Sequence, residues 1–330
     1  MEYGQWLRYC KLTVAVDGTN TEAIDLSDFR VKFQVSQAVV GKPTTAEILV
    51  YNVAQSTVDR IAVPTNKLVK AKRLKVILEA GYQDEHAVIF QGDLWWKSTG
   101  RETETDTFMR LIAATGDRAH QYAVVNASIP KGATQAQVFG VVAQSLADKG
   151  VTAKGIPVEM ATVTKLPRGK VLYSMSRDAM QGLADVNNFM WGYGSNGLIA
   201  IPKDPVYRKG EDVIVLNART GMIGRPTMTV NGLELQCLLN PRIDVGSLIQ
   251  IDNSSIQRSA IDTSDKAILE RADRTSSDAF VSADGLYRVY SRQFVGDTRG
   301  NEWYAKIIAF GVNASERPDT PNLYNTFPNL

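Results

Sequence analysis

Apolar and polar residues alternate one for one through residues 28–36 (DFRVKFQVS), and the alternation returns in AEILVYNV (46–53), LKVILEAGY (74–82) and FMRLIAA (108–114). A period of two gives each segment one apolar face, the signature of half-buried strands rather than helices. The chain from Leu7 to about Val125 is therefore expected to form strands of a sheet curled into a barrel-like domain. One short helix interrupts them at AQSTVDRIAV (54–63), with Ser56 or Thr57 as N-cap and Pro64 as terminator.

The period then lengthens. In residues 129–150, Val138, Val142 and Leu146 recur at helical spacing between Thr134 and Gly150, which predicts an amphipathic helix. A second helix face is formed by Ala179, Met180, Leu183, Ala184 and Val186, and FMWGYGSNGLIAIPKD (189–204) reads as two strands around a Gly-rich turn. Strand patterns return in DVIVL, PTMTV, LELQCLL, LIQI, LYRVYSRQFVG and EWYAKIIAFG. The expected organisation is a β-rich α+β chain: a first β-barrel-like domain over 1–125, a small α/β domain over 126–204, and a second β-barrel-like domain over 205–312. The last carries a polar insertion at 253–285, and an extended tail follows at 313–330. A loop as long as 253–285 is usually functional. No repeat of fixed period is present, which excludes solenoids and propellers.

Composition narrows the function classes. With 330 residues the chain is long enough for two or three cores. Its 37 Lys and Arg against 35 Asp and Glu give no field that would select nucleic acid or anionic lipid. Cys10 and Cys237 are the only cysteines and lie far apart in sequence, which suits inert thiols in a reducing compartment. The N-terminal residues carry charges within their apolar stretch and no cleavage pattern, so no secretory signal is expected. No run approaches the ~18 apolar residues of a spanning helix.

The chemistry-bearing motifs are sparse. Gly192, Gly194 and Gly197 match G-x-G-x-x-G, but a strand follows them where a dinucleotide site requires a helix N-terminus. His86 and His120 have no neighbouring Cys or acidic cluster, so solvent-facing or hydrogen-bonded roles are expected. Glu102, Glu104 and Asp106 would share one face if RETETD were a strand, as the wet face of a hairpin or as an acid–base or cation-binding set. An acidic face could also keep a channel wall from adhering to DNA. Trp95 and Trp96 are adjacent, so strand alternation places one inward and the other outward as an interface anchor. Asn126, Asn253 and Asn313 fit glycosylation triplets by chance. No catalytic residue, metal site or cofactor site is expected.

Several segments together carry a resemblance: residues 25–53, 167–191, 197–204 (GLIAIPKD), 220–251 and 296–307. Within them stand Gly169 and Lys170, then Ser176, Arg177 and Asp178 opening a helix, then Leu183 and Ala184, with Leu239–Ile243 (LNPRI), Gly296, Asp297, Thr298, Trp303 and Tyr304 behind. In this order they resemble the baseplate hub family of contractile phage tails, related to phage late-control and type VI spike N-terminal domains. The resemblance departs at residues 253–283, where this chain has a longer polar stretch. It implies a homotrimer whose paired barrels make a pseudo-sixfold ring, joining a hexameric tail tube or tube-initiator protein to a trimeric spike protein. Tape-measure and other baseplate proteins are further implied partners, with DNA as passing cargo and no membrane insertion. The implied location is the virion tail baseplate, assembled in the host cytoplasm.

Three other readings compete. A tube initiator or distal-tail protein would be hexameric. A tail-associated peptidoglycan hydrolase would depend on Glu102, Glu104, Asp106 or Asp178. A carbohydrate-binding module would need exposed aromatics, for which Trp95, Trp96, Trp191 and Tyr193 are the candidates.

Overall fold

The computed structural model describes residues 7–16, 22–61, 73–153, 165–195, 197–203, 212–229, 232–251, 257–258 and 285–312. The expected polar insertion, apart from Gln257, Arg258 and Gly285, and the expected tail from residue 313 lie outside the described residues. The protein is predominantly β, and it divides into two units. Unit 1 holds residues 1–203 and 295–303, and unit 2 holds 204–294 and 304–330.

Unit 1 opens with β1 (Arg8–Ala15), β2 (Ala23–Asp25), β3 (Val31–Ala38), β4 (Thr45–Tyr51), β5 (Lys75–Tyr82), β6 (His86–Arg101) and β7 (Thr107–Ala114), in the order β3-β4-β7-β6-β5-β1-β2. All pairings here are antiparallel. Along β3 burial alternates without exception: Val31, Phe33 and Val35 face inward while Lys32, Gln34 and Ser36 do not. The strand periodicity thus reports a real buried face. The short helix α1 (Gln55–Arg60) is capped at Ala54, two residues before Ser56 and three before Thr57, with no side-chain cap. Its end is held instead by Lys97, whose Nζ donates to Val58 O at 2.8 Å and Ile61 O at 2.6 Å.

A separate core follows β7. α2 (Asp117–Tyr122), β8 (Val124–Ile129), α3 (Gln135–Ala147), β9 (Lys170–Met175), α4 (Ser176–Val186), β10 (Phe189–Gly194) and β11 (Gly197–Pro202) bury Val138, Phe139, Val142, Leu146, Met180, Leu183 and Phe189 in one cluster. α3 starts where its sequence says it must. The Thr134 hydroxyl accepts from Gln137 N at 3.2 Å, and the Gln137 side chain accepts from Thr134 N at 2.9 Å, forming a capping box. Thr134→Ala is expected to cost about 1 kcal/mol, read from the urea midpoint with the spectroscopic baseline unchanged.

β10 and β11 form a hairpin in which Gly194 pairs with Gly197. The G-x-G-x-x-G pattern therefore runs from strand to strand, as its sequence context indicated. Its glycines answer to packing: a Cβ on Gly192 would stand 2.8 Å from Ala38 O, and Gly197 holds φ +119° beside Thr152.

Residues 295–303 return to unit 1 and are locked there by an ionic node. Asp297 is almost fully buried and accepts from Arg30 Nη2 at 2.7 Å, Arg30 Nε at 3.2 Å and Arg299 N at 3.0 Å. Arg8 donates to Asp297 O, Gly300 O and Asn301 O. Thr298 exchanges hydrogen bonds with Val31, and Trp303 meets Phe33 edge-on at 5.4 Å.

Unit 2 is built from β12 (Val213–Val215), β13 (Met222–Thr229), β14 (Gly232–Leu238), β15 (Leu248–Gln250), β16 (Gln257–Arg258), β17 (Leu286–Asp297) up to residue 294 and β18 (Trp303–Gly311) from residue 304. β13–β14 and β14–β18 pair antiparallel, and β12–β15 pair parallel. Within it Arg292 is almost fully buried, donates to Ile243 O at 3.0 Å, faces Asp244 at 3.3 Å and lies over the Phe294 ring. Burial holds the Arg292 pKa below its ordinary value, while Asp244 opposes that shift.

Candidate interaction surfaces

The residues that stand out are apolar side chains left in solvent, because buried hydrophobics need only packing while exposed clusters mark contact surfaces. Two such clusters lie in unit 1.

The first is the pair of tryptophans on β6. The register passes from Leu94 opposite Ala113 to Trp96 opposite Ile112, so Trp95 is an extra residue in a β-bulge. A bulge breaks the period of two. Trp95 and Trp96 consequently both face solvent, with 55% and 59% of their surfaces exposed, and neither occupies the inward position that plain alternation assigns. A second bulge in the same strand, at Ile89, has the opposite effect and buries Ile89 and Phe90 together.

The β6–β7 turn lies five residues beyond Trp96. β6 ends at Arg101 and β7 begins at Thr107, so Glu102, Glu104 and Asp106 sit on an exposed turn and not in line on a strand face. Thr103 and Asp106 close that turn, with Asp106 N donating to Thr103 Oγ1. Hydrogen bonds from Asn52 and then Thr103 hold the Asp106 carboxyl below the usual carboxylate range. Glu102 interacts with the Tyr51 hydroxyl, whose pKa is raised by burial first and by that carboxylate second. Glu102 and Glu104 are exposed and Asp106 is half-buried.

The second cluster is the outer face of the two-stranded ribbon β8–β9. Val124 stands opposite Met175, Asn126 opposite Tyr173 and Ser128 opposite Val171. The alternate residues Val125, Ile129 and Leu172 enter the core of the module. The outer set stays in water: Val171 is 73% exposed and Tyr173 78%, with Val124 and the adjacent Tyr122 also exposed. A groove of about 540 Å³ adjoins the ribbon at Ser128, lined further by Pro130, Gln137, Gly140, Val141 and Gln144. From 124 to 147 and from 165 to 177 the sequence has no carboxylate, while Lys131, Lys165, Arg168 and Lys170 are exposed around one end of the ribbon. The outer face of the ribbon carries exposed Val124, Val171 and Tyr173 with Asn126 and Ser128 among them, and it is cationic at that end.

The remaining candidates fall elsewhere. Trp191 and Tyr193 are buried in the module core, Trp191 donating to Gln181 Oε1 at 3.0 Å, so they form no exposed aromatic platform. Asp178 is exposed beside Arg177 on α4. His86 stacks on Tyr9 with its Nδ1 3.2 Å from Tyr82 O. His120 meets Tyr193 edge-on at 5.7 Å, and burial, followed by Arg177, lowers its pKa. The Cys10 and Cys237 thiols are free and pushed up to about 12, chiefly by burial. Among the described residues no group of three or more His, Cys, Asp or Glu is placed to hold a metal ion, and no helix is long and apolar enough to cross a membrane.

Comparison with known proteins gives a consistent answer. A family model described as baseplate hub gp41 matches residues 10–263. No curated protein sequence matches. The fold is similar to the 43 kDa tail protein of prophage MuSo2 from Shewanella oneidensis, with a TM-score of 0.55 and 8% identity over 94% of this chain and 98% of that one. It is similar also to a tail protein from Neisseria meningitidis MC58, with a TM-score of 0.51 and 8% identity over 92% and 97%. A chain of the lidded Francisella PdpA–VgrG complex matches with a TM-score of 0.50 and 8% identity, over 96% of this chain and 54% of that one.

Proposed function

This chain belongs to the baseplate hub gp41 family, and on that premise we propose that three copies form the hub ring of a phage tail. It is a phage tail baseplate protein, and the ring would join the hexameric tail tube to a trimeric spike around the DNA channel. The family match over residues 10–263 carries this reading. The likeness of fold to prophage tail proteins, end to end on both chains, supports it.

In this reading the protein acts by assembly and breaks no bond. The carboxylates a hydrolase would use support that view by their position, since Glu102, Glu104 and Asp106 lie on an exposed turn. The near balance of charge, 37 basic against 35 acidic residues, suits a wall past which DNA slides. In this reading assembly takes place in the host cytoplasm, and two β domains flanking a small α/β module would give two wall segments per chain, six per trimer. Obligate interfaces of roughly 2,000 Å² or more would hold the ring through contraction.

The test is the mass of the full chain by size-exclusion chromatography with light scattering, alone and with the spike protein of the same tail. A trimer, or a three-to-three complex with the spike, is the expected result. A stable hexamer would reassign the chain to the tube-initiator or distal-tail position, and a monomer indifferent to the spike would overturn the hub reading.

A further inference from the structure

We infer that the cationic, apolar β8–β9 ribbon of one copy docks on the β6–β7 face of the next, against Trp95, Trp96 and the acidic turn. The inference rests on the homo-oligomeric hub reading and deepens it by assigning the two surfaces that meet.

Complementarity carries the argument. The ribbon is apolar along Val171, Tyr173 and Val124 and cationic at the end marked by Lys131, Lys165, Arg168 and Lys170. The β6–β7 face is apolar at Trp95 and Trp96 and acidic at the turn, where Glu102, Glu104 and Asp106 outnumber Arg101. Their lengths match as well. Five residues separate Lys170 from Met175 and five separate Trp96 from Arg101, about 17 Å in each case at the rise of a strand. Laid together with opposite charges in contact, the ribbon brings Val124 and Tyr122 over the tryptophans. Both surfaces are exposed within the same chain, so neither covers the other internally.

The geometry of closure favours this pairing over a ribbon-on-ribbon contact. A surface that binds its own copy is isologous and stops at two chains, whereas a ring of three needs two different surfaces on each chain. The exposed aliphatic residues Val124 and Val171 favour a protein occupant over DNA, because they can be buried against apolar partners and make no hydrogen bond to phosphate. Tryptophan and tyrosine are the side chains that anchor interface centres, with charge at the rim setting orientation.

The experiment uses the full chain in two variant sets, with circular dichroism as the check on folding. Arg168→Glu with Lys170→Glu is expected to reduce the oligomer to the 36.3 kDa monomer, and adding Glu102→Lys with Glu104→Lys in the same chain is expected to restore it. In a Cys10→Ser background, which leaves only the buried Cys237 thiol, Val124→Cys with Trp96→Cys should give, under mild oxidation, disulfide-linked species up to the ring, while each single variant stays unlinked. An oligomer of wild-type mass in the Glu variants together with no linkage in the double-cysteine chain would overturn the contact and leave the hub reading intact. Covalent dimers from Val124→Cys alone would overturn it in favour of ribbon self-pairing. Loss of DNA retention in Arg168→Glu/Lys170→Glu with the oligomer unchanged would overturn it in favour of a DNA-facing ribbon. A wild-type chain that stays monomeric with and without the spike would overturn the contact and the hub reading together.

Discussion

Asp297→Ala is expected to lower the stability of unit 1 by about 3 kcal/mol, seen as an earlier urea midpoint in the fluorescence of Trp303. The carboxylate is 4% exposed, and removing it withdraws the acceptor of two Arg30 hydrogen bonds and of the Arg299 amide. Arg30 retains 38% exposure, so solvent screens the charge left behind and the figure is set at the low end for a broken buried pair. Asp297→Asn keeps the shape but not the charge and is expected to cost less, about 1–2 kcal/mol.

The same residue gives a pH dependence. Burial would raise the Asp297 pKa, but the Arg30 hydrogen bonds and the Arg299 and Gly300 amides outweigh it and hold the carboxyl below its ordinary value. A depressed folded-state pKa contributes stability that is present above the unfolded value, about 3.9, and lost as pH falls through the folded one. Asp25, lowered mainly by the Ser27 hydroxyl, adds in the same direction. Wild-type unit 1 should therefore lose stability on acidification below about pH 4, with a shallower dependence in Asp297→Asn. Equal slopes in the two proteins would show that the node does not set the acid limit.

Phe139→Ala is the second large effect, with an expected cost of about 3–5 kcal/mol. Phe139 is 1% exposed at the centre of the module core and meets Phe189 edge-on at 6.1 Å. α3, α4 and the inner face of the ribbon share that core, so the cavity weakens the support beneath Val125 and Leu172. Calorimetry of the full chain should show the loss, and assembly should fall with it where the ribbon contributes a contact. An unchanged melting profile would mean that this core does not limit stability.

Much of the fold was legible because burial on one face of a strand enforces a period of two, as β3 shows without exception. α3 was legible for a different reason: Thr134 and Gln137 satisfy each other's backbone amides at its start. The interaction surfaces were less visible. A bulge is an interruption of periodicity with no residue signature of its own here, so one outward tryptophan was expected where two stand. The acidic row lay on a turn because β6 stops at Arg101, a boundary that charged and threonine residues do not mark. Trp191 and Tyr193 looked available as exposed aromatics until the module core enclosed them. The ribbon could not be found from sequence at all, since β8 and β9 are separated by an intervening helix and only their pairing shows Val124, Val171 and Tyr173 to share a face.

The return of residues 295–303 to unit 1 also constrains how the protein is made. The first unit to leave the ribosome cannot be finished until Trp303 has been synthesised, on the order of ten seconds after Lys203 at ordinary elongation rates. Until then Arg8 and Arg30 lack Asp297, and Phe33 lacks Trp303. Nascent chains caught early thus carry an unfinished first unit, open where residues 295–303 will later insert.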